Sequence, residues 1–218
     1  MREKIKLKKF LIFIEVFFIY LSFWFLLGNL KTNGIWETVI LNVLFFLVMP
    51  IFLFKKKFPE KPEEKKITVV LQILALWLIF GLMLFSLEDI SFLKLNYLSR
   101  MDWFFGDWWI ILGLNFILLP VILFCQEFFF RDFLFNRIKE DFSIKIALFS
   151  QAGLFVVFEM LFFETLNWQF FVFNFILALI LGVFCNQTKT IWYSFFLRWG
   201  LILILEGLVL YKIQQFNI

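Results

Sequence analysis

From Ile67 to Leu87 the chain carries no charged side chain, and apolar stretches of comparable length recur along its 218 residues. About 20 apolar residues in a row is the length of an α-helix that crosses the hydrocarbon layer of a bilayer. Repetition of such runs implies an all-α, polytopic membrane helix bundle, and a composition 63% hydrophobic and 17% charged agrees with that. The runs predict seven helices, at about 10–28, 38–54, 67–87, 108–124, 146–163, 169–185 and 191–210. The stretch QEFFFRDFLFNRI that follows the fourth reads as an amphipathic continuation leaving the bilayer. No linker or internal repeat divides the chain, so residues 1–218 are expected to form one transmembrane domain. Residues 1–107 supply three spans and an outside loop, and residues 108–210 supply a second group of helices.

Lysine and arginine orient the bundle. With the N-terminus in the cytoplasm, the inside segments carry 16 of the 21 basic residues and the outside segments four, leaving Arg198 within the last span. This asymmetry predicts a cytoplasmic N-terminus. The basic start MREKIKLKKF runs into an apolar stretch too long for a signal peptide and without a small-residue cleavage site, so it reads as a retained first span. The net charge of +4 therefore reports topology and contact with the lipid bilayer. The basic runs lack interleaved aromatics and flank spans directly, which argues against a nucleic-acid partner. The Trp-containing outside loop, 88–109, reads as an interfacial aromatic belt.

Composition also narrows the chemistry. The absence of histidine removes the commonest general base and metal ligand. Cys125 and Cys185 are too few for a thiolate metal site, and no cofactor or metal is expected. The 37 phenylalanines accompany enriched Ile, Leu, Lys and Asn, the signature of an AT-rich genome, and carry no functional weight.

The informative residues are charges placed where lipid should be. A charged side chain inside a span is costly and normally faces a protein interior or a cavity. Glu15, near the basic N-terminus, reads as structural. Glu127 and Arg131 are four residues apart, the spacing of a helix-stabilising pair at the interface. Glu159 and Arg198 each stand alone among apolar neighbours and are expected to pair across helices, with Glu206 as a competing partner of Arg198. Ser150, Gln151, Asn174 and Ser194 are candidates to complete a polar network around them.

At these positions the chain resembles the CPBP family of intramembrane glutamate proteases (CAAX proteases and bacteriocin-processing enzymes, also called Abi). Its members carry EExxxR, FxxxH and HxxxN on successive core helices. The matching stretches here are QEFFFR (126–131), FVVFE (155–159) and RWGLI (198–202). The resemblance implies a core over about 108–210. It implies that the family's activating glutamate, two histidines and asparagine correspond to Gln126, Glu159, Arg198 and Ile202, while Glu127, Arg131 and Phe155 keep the pattern. An amide at 126 cannot act as a base near neutral pH.

The expected function is thus a catalytically inactive homologue in a bacterial cell membrane. It would serve as a binding, regulatory or bacteriocin self-immunity-type protein, with a peptide or a membrane protein as partner. One alternative is an active endopeptidase with a rearranged Glu/Arg site. A second is a transporter or channel subunit, for which Pro120 within the fourth span is the only helix interruption in the later spans.

Overall fold

The computed structural model describes residue 14 and residues 35–53, 67–86, 108–162 and 168–215. All secondary structure among them is helical. Apart from residue 14, the expected first span, with Glu15 in it, and loop residues 88–107 lie outside the described residues. The remaining six predicted runs each coincide with a helix.

Helix α1 (35–53) comprises Ile35–Asn42, a wide π-helical segment Val43–Val48, and Met49–Leu53. Helix α2 is Ile67–Ser86. Helix α3 (108–141) comprises Trp108–Glu127, a second π-helical segment Phe128–Leu134, and Phe135–Asp141. Helices α4, α5 and α6 are Ile144–Phe162, Trp168–Thr188 and Trp192–Gln215. By length and composition, two described segments are apolar enough to cross a membrane, Ile144–Leu161 and Trp168–Thr188; Val39–Phe52, Val69–Ile79 and Trp192–Leu205 are shorter apolar segments.

Helices α4 and α5 form the most extensive pair, while α6 packs against α2, α3 and α5, and α1 lies against α3. The stretch after Phe124 continues as helix, with Asp132, Asn136 and Arg137 half-buried on one face. Phe128, Phe129, Phe130, Arg131, Phe133, Leu134 and Phe135 are all buried, because the π segment of α3 is covered by α1, α4 and α5. Exposed polar positions begin only at Lys139 and Glu140.

The two π segments pack on each other. Phe46 of α1 lies 4.9 Å from Phe129, 5.9 Å from Phe130 and 5.0 Å from Phe158, ring centre to ring centre. Each π segment closes with an i→i+5 hydrogen bond, from Phe135 N–H to the Phe130 carbonyl and from Met49 N–H to the Leu44 carbonyl. Short π insertions of this kind re-aim the residues that follow them and recur at functional sites.

Two glycines admit large side chains. A Cβ at Gly182 would meet the Gln151 amide, which instead lies against α5 and donates to the Ala178 carbonyl at 3.0 Å. A Cβ at Gly200 would overlap the indole of Trp77. That indole N–H donates to the Leu197 carbonyl at 2.9 Å, pinning α2 to α6 one residue before Arg198. Gly200→Ala should therefore cost about 1–3 kcal/mol through overpacking. The unfolding midpoint in detergent should fall accordingly, and combining the change with Trp77→Leu should cost clearly less than the sum of the two. Strict additivity would mean that Trp77 and Gly200 do not touch.

Candidate functional site

Three helices bring four charges together. Glu127 closes the α-helical part of α3 and Arg131 sits in its π segment; Glu159 is near the end of α4, and Arg198 is one and a half turns into α6. All four are buried.

Arg198 is the hub. Its Nη2 donates to Glu159 Oε1 at 2.9 Å, and its Nη1 donates to Glu127 Oε1 at 3.4 Å. The other Glu127 oxygen, Oε2, lies 3.4 Å from Arg131 Nε, an ionic contact without hydrogen-bond alignment. Both guanidiniums also rest on one aromatic ring: the Cζ atoms of Arg131 and Arg198 are 4.3 Å and 4.6 Å from the centre of Phe155. Such cation–π contacts recover part of the cost of removing a cation from water. The cluster is charge-balanced, with two carboxylates and two guanidiniums.

Gln126 turns away from this cluster. Its Nε2 donates to Asn42 Oδ1 of α1 at 3.3 Å, and its Oε1 has no hydrogen-bond partner in the protein. Ile202, one turn after Arg198, is half-buried and adds no polar group. The side chain of Glu206 lies outside the described residues. Glu127 and Arg131 do form the i,i+4 pair expected from their spacing; both are fully enclosed, and Glu127 is shared with Arg198.

Gln151, Asn174 and Ser194 do not join the charges. They donate to the carbonyls of Ala178, Phe170 and Ile191, at 3.0, 3.0 and 2.9 Å. Ser150 is half-buried on α4. The Cys185 thiol points at the Arg131 carbonyl, 3.9 Å away, and both cysteines are free and buried. Sequence reasoning had not singled out Asn42 or Trp77; a lone Asn and a Trp opposite a Gly within apolar runs were the available signals.

Residues 102–203 match the family model described as type II CAAX prenyl endopeptidase, Rce1-like. Over these residues, somewhat under half of its length, the chain is similar to that family. No curated protein and no solved structure matches the chain. The Rce1-like region takes in α3, α4, α5 and the first half of α6, and thus all four charges. The partners that fix its flanks, Asn42 on α1 and Trp77 on α2, lie outside it.

The geometry makes a specific energetic statement. Arg198→Leu leaves two buried carboxylates against one guanidinium and should destabilise by about 3–5 kcal/mol. Arg198→Leu with Glu159→Leu leaves the balanced Glu127–Arg131 pair and should recover much of that loss. A double-mutant cycle on unfolding in detergent checks it, and additive losses would show that the two side chains are uncoupled.

Proposed function

We propose that this chain is a catalytically inactive member of the Rce1-like family. It acts in a bacterial cell membrane as a binding or regulatory protein that holds a peptide, or the transmembrane segment of a partner. A self-immunity role against a bacteriocin is the specific form that family analogy suggests. The observation that carries the reading is the engagement of both carboxylates by Arg198. A general base needs a carboxylate free to take a proton from water. Here Glu127 and Glu159 each give an oxygen to a guanidinium, and position 126 is an amide bonded to Asn42.

The membrane placement rests on the apolar runs, on similarity to the family and on the distribution of basic residues. It reads as seven spans with the N-terminus in the cytoplasm. The opposing reading, an endopeptidase with Glu127 or Glu159 as base and Arg198 as electrophile, requires Arg198 to release a carboxylate.

The two readings separate in a cleavage assay with purified protein and a panel of membrane-tethered and prenylated peptides. No cleavage is expected from the natural sequence, nor from Gln126→Glu, because the restored acid has no histidine partners. Cleavage by the natural sequence that vanishes in Glu127→Gln or Glu159→Gln would overturn the proposal.

A further inference from the structure

The two buried carboxylates are not held alike. Glu127 gives one oxygen to Arg198 and the other to Arg131, and its side chain is fully enclosed. Among the described residues Glu159 pairs with Arg198 alone, at 2.9 Å, and 7% of its side chain remains exposed. It also stands three residues before Phe162, where α4 ends, or about 4.5 Å of helix. A proton from beyond that helix end has a short path to Glu159, and none is open to Glu127.

What Glu159 holds is equally particular. Helix α4 packs chiefly on α5 and α3, and α6 chiefly on α2, α3 and α5. The link between α4 and α6 thus falls largely on the Arg198–Glu159 bridge and on the Phe155 ring beneath Arg198. The same ring carries Arg131, so the two guanidiniums are close neighbours. A neutral Glu159 would leave them one carboxylate between them, and a surplus positive charge in a low-dielectric interior. Among the described residues no other acid is placed to make up the loss. Arg131 and Glu127 are the charges that α3 presents here; Arg137, Lys139, Glu140 and Asp141 lie at the other end of α4, beside Lys145. Helix α5 has no charged residue, and its Cys185 thiol is turned to the Arg131 carbonyl.

We propose that Glu159 is the catch of a proton-sensitive latch between α4 and α6, closed when its carboxylate is charged and open when it is neutral. Repulsion from Arg131 then drives Arg198 away from α4. Opening separates no extensively packed pair, because both helices keep their contacts with α5. A proton taken up here opens a joint and is not passed to a substrate. The latch adds a control to the binding role proposed above and does not depend on it.

The test uses the full chain in lipid nanodiscs, from about pH 8 to about pH 4, where a chain without histidine titrates chiefly through its carboxylates. Dicyclohexylcarbodiimide, which couples to protonated carboxyls in apolar surroundings, reports which glutamate takes the proton, read by mass spectrometry. Spin labels on Leu161→Cys of α4 and Phe196→Cys of α6, both exposed positions, report the separation of the helices; Cys125 and Cys185 are buried. Coupling at Glu159 is expected to rise at least about tenfold across this range, with Glu127 unmodified. The label distance should lengthen with the same midpoint, and in Glu159→Gln it should be long at every pH. A distance that stays constant with pH in the otherwise natural chain would overturn the latch, as would a change that survives in Glu159→Gln. Equal coupling at Glu127 would overturn the choice of Glu159 as its catch. Peptide cleavage decides the proposed function and this titration decides the latch, so either can fail alone.

Discussion

A single guanidinium between two carboxylates holds the arrangement of the other elements. Arg198 reaches Glu127 on α3 and Glu159 on α4 from a position on α6. In a low-dielectric interior none of these groups is tolerable alone, so the three helices are held at one relative depth. The neighbouring contacts follow from that demand. The Trp77 indole fixes α6 at the Leu197 carbonyl, and Gly200 stays small to admit the ring. Phe155 presents one ring to both guanidiniums.

Around this hub the motif residues divide into two sets with different partners. Glu127 and Gln126 are adjacent in sequence, so on a helix they point about 100° apart. Glu127 faces Arg198 of α6, whereas Gln126 faces α1 and bonds to Asn42. Helices outside the family-matched region therefore close over the motif from two sides, α1 at Gln126 and α2 beside Arg198. On the proposed reading, the amide at 126 is a joint between helices where the family places its activating acid.

Much of the helical layout was legible because lipid-length apolar runs are a strong one-dimensional signal. Glu159 and Arg198 stood out for the same reason, as isolated charges in apolar surroundings. The burial of residues 128–135 was not legible. Arg131, Asp132 and Asn136 give that stretch a polar face, and only the covering helices α1, α4 and α5 make it interior. The π segments were equally hidden, since nothing in FFFRDFL or VLFFLV distinguishes i→i+5 from i→i+4 bonding. The choice coincides with the packing of Phe46 against Phe129, Phe130 and Phe158, a tertiary interaction. The polar residues Gln151, Asn174 and Ser194 looked like network members, but each found a backbone carbonyl, a choice that local geometry decides and composition does not.

On the proposed reading, the departures from the family pattern at 159 and 198 are physically one departure. Glu159 with a neutral residue at 198 would be a buried acid lacking its 2.9 Å partner, and Arg198 with a neutral residue at 159 would give the cluster an excess positive charge. Only together do they leave it balanced. Their coupling also changes what the three helices can do. Two imidazoles can each take or give a proton and still turn toward a substrate. A guanidinium whose donors are engaged by two carboxylates is fixed in place by the cost of breaking either contact. On the proposed reading, a site so built holds helices together and does not move protons.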